Sequence, residues 1–444
     1  MFTKERLMTT TTTTTAAIPP EAGFDELVAL DPEARKCPFP TYQTLQEEHP
    51  IAWSDALNAW VVTRYDDVLT ILRQPEIFSS RQQSGPASVT SLAGRVVADD
   101  SYPQATRDQA ARRLRLSQSP VLVNSDPPEH RRQRRLVTAA FSPRSIETMA
   151  PAITEIAESI ADSAVAKGRV DLVQDFTFPF PMTVIARILG VPESKMEVFK
   201  QWTIAFTQGV GAHDLDRTEI IDLFEAVDDF YDYFTEQIGD REREPKDDLL
   251  TSVVQSRVDG ERPLTEDELL QMLVQFLVAG NETTTNLIGS CLLKLTGTPE
   301  LLAELKADSS RIPDFVEEIL RLEAPTQGMY RTLTEDHNLA GTDLPVGSMV
   351  YMIYAAANRD PGVFACPHEI SERNDRNRHL SFGRGEHLCL GMHLARREAI
   401  IALETLLSRV ERIAPVGELT EVGYNRSFIL RGIASLPVEL VPAH

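Results

Sequence analysis

Cys389 stands in the run FGRGEHLCLG, residues Phe382 to Gly391, with glycines at 383, 385 and 391 and a histidine two residues before it. Four kinds of chemistry suit such a thiol: a zinc site, a nucleophile, a packed core residue, or a ligand to something larger. As zinc ligands, Cys389 with His387, His393, His379, Cys366 or His368 supplies no CxxC or HxxxH pair at structural-zinc spacing. As a nucleophile it needs a base and an oxyanion hole; His387 could be that base, but no strand–turn–helix elbow surrounds it. A core cysteine has no need of three flanking glycines, whereas a flat, bulky ligand pressed on the backbone does. The start of a helix also favours a thiolate through its dipole and free N–H groups.

A second group lies more than a hundred residues earlier, in Leu277-Val-Ala-Gly-Asn-Glu-Thr-Thr-Thr285. A glycine in mid-helix costs about 1 kcal/mol against alanine, and a buried carboxylate without a partner costs more. Either Glu282 and the threonines face a solvated groove, or a ligand lies against the helix. In the second case Gly280 allows close approach while Glu282 and Thr283 manage protons.

Two further pairs carry less alone. Glu318 and Arg321 sit at i, i+3 on one helix face, an arrangement worth little when exposed. His130 and Arg134 are one turn apart in HRRQRR, where Arg131, Arg132, Arg134 and Arg135 form a basic exception in an acidic chain. They either make a solvated basic face or meet the anionic groups of a cofactor or of an acidic partner.

The elements that must position these groups are mainly helical. LTEDELLQMLVQFLVAG continues to about Gly297 as the longest helix, opened by a Thr265/Glu268 capping box. From Leu269 to Val278 it is apolar nearly all round, which predicts burial. Pro-Pro before EHRRQRR opens another helix. Helical patterns run from Pro128 to about Glu323. Strand patterns fall near 50–65, 325–355 and 420–442, and an irregular meander (358–378) leads into the cysteine run. The polar stretch Ser79–Ser117 has weak periodicity and reads as a long loop. Gly209 and Gly211 suggest a mobile lid. Residues 1–20, with the tract Thr9–Thr15, are expected to form a disordered tail, and 21–444 a single domain.

Composition bounds the rest. The 444 residues carry a net charge of −22, which disfavours nucleic acid as a partner. Four cysteines are too few for a disulfide framework and suit a reducing compartment. No apolar run is long enough to span a bilayer, and a cytoplasmic location is expected.

Taken together, the segments resemble the haem-thiolate monooxygenases, the cytochrome P450 family, in its soluble bacterial form. The family's Phe-x-x-Gly-x-x-x-Cys-x-Gly loop is matched by Phe382, Gly385, Cys389 and Gly391. Its Ala/Gly-Gly-x-acid-Thr helix is matched by Ala279, Gly280, Glu282 and Thr283, and its Glu-x-x-Arg helix by Glu318 and Arg321. The likeness extends from about Phe24 to Val441.

The resemblance implies a mainly α fold with a smaller β portion, holding haem b between the long helix and the cysteine loop. It implies that Cys389 is the axial ligand, that Phe382, Gly383, Gly391, Ala279 and Gly280 adjoin the haem, and that His130, Arg134, Arg331 and His387 hold its propionates. Glu282 and Thr283 would deliver protons to dioxygen, and Glu318 and Arg321 would lock the fold behind the loop. The family completes that ion network with a meander arginine; here Asn374 sits at one common spacing, and Arg373 beside it is the preferred candidate. The pocket is expected from Val278, Ala279, Gly328, Met329, Phe428 and Ile429, with Phe206 and the 79–117 and 204–213 regions. The implied activity inserts one oxygen atom of O2 into a small organic substrate. Electrons would come ultimately from NAD(P)H through a separate ferredoxin or flavodoxin, docking near Arg131–Arg135, to a monomeric enzyme. Oxidative coupling, rearrangement and peroxygenase chemistry are the alternatives within the family; a zinc or simple binding protein is the alternative outside it.

Overall fold

The computed structural model describes residues 17–19, 23–81, 89–208 and 215–443. Gly209, Gly211, His213 and Thr9–Thr15 lie outside them. The helices that bear on the site are α1 (Pro32–Lys36), α2 (Val89–Ala98), α3 (Gln104–Ser117), α4 (Glu129–Thr138), α5 (Glu266–Thr296), α6 (Ile312–Leu322) and α7 (Met392–Arg409). Helices α2 and α3 occupy the stretch expected to be a long loop. Its arginines are held by ion pairs, Arg112 to Asp228 and Asp232 at 2.8 and 2.7 Å, which periodicity cannot register.

Helix α5 forms as its sequence dictates. The Thr265 hydroxyl accepts from the Glu268 N–H at 3.2 Å, and Glu268 accepts from the Thr265 N–H at 2.9 Å, satisfying two orphan donors. Gly297 follows the last helical residue. The first half of α5, through Leu269, Leu273 and Leu277, packs into a cluster with Phe199, Trp202 and Phe230. The second half, from Leu287 to Leu295, packs into another with Ile153, Phe176, Ile319 and Leu403. Between these two apolar anchors lies the polar stretch from Gly280 to Asn286.

The main sheet joins β1 (Ile51–Ser54), β2 (Ala59–Val62), β3 (Phe78–Ser79), β5 (Gly328–Leu333) and β8 (Met349–Ile353) in the order β1-β2-β8-β5-β3. Only β2 and β8 run parallel, with Trp60 opposite Val350. A second sheet pairs β4 (Arg169–Asp171), β10 (Pro437–Pro442) and β9 (Val410–Pro415) in that order, and β6 (His337–Leu339) pairs β7 (Thr342–Leu344). Residues 424–436, expected as strand, are mostly irregular, closed by an isolated bridge between Tyr424 and Ile433. Ala17 and Ile18 correct the expected tail boundary, because Ala17 bridges Trp53 and the Ile18 N–H donates to the Trp53 carbonyl at 2.9 Å. Among the described residues no helix is long and apolar enough to cross a membrane.

Candidate functional site

The cysteine loop is tied to itself before α7 begins. The Cys389 N–H donates to the Phe382 carbonyl at 2.9 Å, and the Gly383 N–H to that of Leu380 at 2.8 Å. Gly383 and Gly385 adopt φ of 67° and 69°, a left-handed region that favours glycine. A Cβ on Gly385 would also fall 2.5 Å from the Leu72 carbonyl oxygen. These two glycines therefore shape the turn. Gly391, at φ −84° with open space beyond it, is the one that keeps the loop bare toward the cavity.

That cavity encloses about 280 Å³ between the loop and α5. Cys389, Phe382, Gly383, His387 and Gly391 meet it from the loop side, and Ala279, Gly280 and Thr283 from α5. His130, Arg134, Arg331 and Met329 also reach it, so sequence-distant residues converge on one space.

Burial pushes the Cys389 thiol up; the N–H groups of Gly391 and Met392 and the charges of Arg134 and Arg396 oppose that without cancelling it. Such a thiol is a poor free nucleophile. Coordination to a metal cation would deprotonate it outright.

The basic side chains point to an anion. Arg331 is buried and donates to the Tyr330 carbonyl at 2.7 Å. His130 Nδ1 is buried without a hydrogen-bond partner, the Glu386 carboxylate standing 3.8 Å off. The His130 and His387 rings lie 4.1 Å apart, and Ser80 Oγ is 3.1 Å from His387 Nε2. Burial, then the charges of Arg331, His130 and Arg134, lower His387 to about 2, so it is neutral here. An orphaned buried nitrogen, one buried guanidinium and one half-buried one at a single cavity fit a ligand that brings carboxylates, as haem b does.

On α5 the acid and the alcohol part company. Thr283 lines this cavity, its hydroxyl donating to the Ala279 carbonyl at 2.7 Å. Glu282 lines a separate cavity of about 370 Å³ with Thr285, Asn425 and Glu219. Oε1 of Glu282 accepts from Asn286 at 3.4 Å and from Asn425 at 3.3 Å. Burial raises its carboxyl, and those two amides pull it partly back.

Behind the loop, Arg321 donates to Glu318 through Nε and Nη2 at 2.9 and 3.0 Å. It also donates to the carbonyls of Asn358, Pro367 and Glu369 at 2.8–3.0 Å. Arg373 does not complete this network. Asn374 does, donating to Glu318 Oε2 at 3.0 Å, because its short amide is buried where the longer Arg373 side chain is not. Glu317, unflagged in the sequence, accepts from Arg396 at 2.6 and 2.8 Å and lies 3.0 Å from His379 Nε2, joining α6 to α7.

Several expected pocket residues lie elsewhere. Phe206 packs its ring 5.0 Å from Phe230, and Phe428 packs 5.6 Å from Tyr351. Ile429 packs beside Phe428, and Val278 turns to the core around Trp202. Gly328 serves the sheet, since a Cβ there would fall 2.3 Å from the Met352 carbonyl oxygen. The cavity instead uses Leu122, Val123, Gln275 and Phe276. Leu122 and Val123 follow helices that weak periodicity concealed. Gln275 and Phe276 precede Thr283 by two turns of α5, which helical spacing could have found.

The arginine run is not a free basic face. Arg131 donates to Glu386 at 2.9 Å, Arg132 is buried against Glu268, Arg135 pairs with Glu261, and Arg134 turns to the cavity.

Residues 80–418 match the family model described as Cytochrome P450. The chain is 35% identical to Cytochrome P450 107B1 of Saccharopolyspora erythraea, over 95% of this chain and 98% of that protein. It is likewise 35% identical to Cytochrome P450 monooxygenase PikC of Streptomyces venezuelae, covering 93% of each. The solved structure of CYP109Q5 from Chondromyces apiculatus superposes with a TM-score of 0.80 at 33% identity, over 93% of this chain and 98% of that one.

Proposed function

This chain belongs to the cytochrome P450 family of oxidoreductases, and from that premise we propose that it inserts one oxygen atom of O2 into a small, largely apolar organic substrate. The observation that carries the reading is the half-buried Cys389 lining, opposite α5, a cavity edged by His130, Arg134, Arg331 and His387. Bound haem supplies dioxygen activation, with two electrons and two protons delivered, one oxygen atom going to substrate and the other leaving as water.

Cys389 would be the residue that holds the haem iron, and its thiolate would supply the electron donation that oxygen activation needs. His130, Arg134, Arg331 and His387 would hold the haem propionates through charge-assisted hydrogen bonds. Gly391 and Gly280 keep backbone close to the macrocycle, beside Ala279, Phe382 and Gly383. Thr283 orients protons within the cavity, and Glu282 supplies them from outside it. Leu122, Val123, Phe276 and Met329 give the substrate an apolar wall and exclude water.

Electrons reach this single haem domain from a ferredoxin or flavodoxin that draws on NAD(P)H. The exposed end of Arg131 is paired with Glu386 of the cysteine loop and that of Arg135 with Glu261, so the docking surface is mixed and not purely cationic. We take the enzyme to act as a cytoplasmic monomer. Turnover under ¹⁸O2 tests the reaction class: the product gains one labelled oxygen atom, and an oxidised product with no label would remove oxygen insertion in favour of coupling or rearrangement.

A further inference from the structure

Glu282 and Thr283 are adjacent in sequence but open onto different cavities. Helix α5 is the wall between them: Ala279, Thr283 and Leu287 repeat at i+4 on one side, while Glu282 and Thr285 repeat at i+3 on the other. The second cavity, at about 370 Å³, is far above the roughly 10–15 Å³ that one water needs. Its polar groups (Gln174, Thr207, Glu219, Thr285, Asn425) give a chain of waters hydrogen-bonding partners. Glu282 lines that cavity one residue from Thr283, which makes it the nearest acid through which a proton could cross α5.

We propose that Asn425 is a positioning residue that holds the Glu282 carboxyl in this second cavity as the entry point for protons, an inference resting on the oxygenase reading above. Asn425 Nδ2 donates to Glu282 Oε1 at 3.3 Å from outside α5. The residue is itself fixed. Its N–H donates to the Gly432 carbonyl at 2.9 Å, and Arg35 at the end of α1 donates to the Tyr424 and Asn425 carbonyls at 2.6 and 2.7 Å. The C-terminal turn is thereby clamped, and the amide is aimed at the carboxyl.

Both hydrogen-bonding partners of Glu282, Asn286 and Asn425, are neutral amides. They orient the carboxyl without pinning it as a carboxylate, as an arginine would. The charged groups sharing its cavity are Glu219 and Arg426. A proton taken from cavity water makes Glu282 neutral. The acid then turns toward the other face of α5 and gives that proton to the Thr283 hydroxyl, which passes its own to a water in the first cavity, where the reduction of one oxygen atom to water consumes it. The carboxylate left behind is reprotonated from the second cavity, so charge and protons balance over the cycle.

The test compares Asn425→Leu, Asn425→Asp and Glu282→Gln in the reconstituted holoenzyme, each first shown to bind substrate with the wild-type spectral shift. Asn425→Leu should slow product formation on the order of tenfold, the scale on which losing a group that orients a functional ligand acts. Its solvent deuterium isotope effect should rise while substrate affinity stays unchanged. The near-isosteric Asn425→Asp sets a second carboxylate beside Glu282 and raises its pKa, so the alkaline limb of coupled turnover should move to higher pH. That shift reports that Glu282 titrates during turnover, and the isotope effect of Asn425→Leu reports the positioning, which a purely structural role would leave unchanged. If Glu282→Gln uncouples turnover while both Asn425 variants keep the wild-type isotope effect and pH profile, this inference is overturned and the relay stands. If Glu282→Gln stays fully coupled, the relay falls and takes the inference with it.

Discussion

The Asn374 amide donates to Glu318 Oε2 at 3.0 Å, so the buried network behind the cysteine loop holds one carboxylate, one guanidinium and one neutral amide. Charge is balanced there without a second arginine. Replacing Asn374 with alanine should destabilise the protein by about 1–3 kcal/mol, the effect of leaving a buried acceptor short of a donor. Arg321→Ala strands Glu318 as an unpaired buried charge, and the loss should be about 3–5 kcal/mol. Urea unfolding of the two variants checks the order; equal midpoints would contradict it.

The Glu317 carboxylate makes stability depend on acid. Burial alone would raise it, but the hydrogen bonds of Arg396 and His379 outweigh burial and hold it down from 4.5 to about 2. A carboxyl depressed in the folded state adds stability above its unfolded pKa and loses it as pH falls through the folded one. The loss should therefore fall between pH 4.5 and about 2. Glu317→Gln should unfold more easily at neutral pH and show a shallower acid limb. Parallel stability curves for the two proteins would refute the assignment.

Arg331 and His130 should set how firmly haem is kept. A hydrogen bond to a charged group contributes about 1.5–3 kcal/mol, so Arg331→Leu should release haem to an acceptor globin roughly ten- to a hundredfold faster. His130→Ala should act in the same direction and less strongly, because a neutral imidazole is the weaker donor. Haem loss at the wild-type rate in both variants would remove the propionate role.

Thr283→Ala should separate electron consumption from oxygenation. With the hydroxyl gone, product formation should fall roughly a hundredfold, the lower end of what a positioned proton-transfer group contributes. NAD(P)H oxidation should continue, with its electrons recovered as hydrogen peroxide. Fully coupled turnover would exclude a proton role for this residue.

Much of the site was legible because its chemistry is carried by local spacing. The capping box at Thr265 and Glu268, the polar break at Gly280 to Thr285 and the glycines around Cys389 all lie within a few residues of each other. What stayed hidden depends on long-range geometry. Sequence could not tell that Glu282 and Thr283 face different cavities, since that needs the packing on both sides of α5. Helix α3 escaped notice because ion pairs from Arg112 to Asp228 and Asp232 help secure it, and α2 because its apolar stripe of Val89, Ala93 and Val96 is short. Phe428 and Gly328 were read as pocket because an apolar or small residue looks alike in a cavity wall and in a packed sheet.

The central claim is that Cys389 ligates the haem iron. The absorbance spectrum of the reduced, CO-bound holoprotein reads that bond directly. The account expects the red-shifted Soret band of thiolate ligation in the wild type, and its loss in Cys389→Ser that remains folded by circular dichroism. A wild-type Soret band at the position of a histidine-ligated haem, or an unchanged thiolate band in Cys389→Ser, would contradict it.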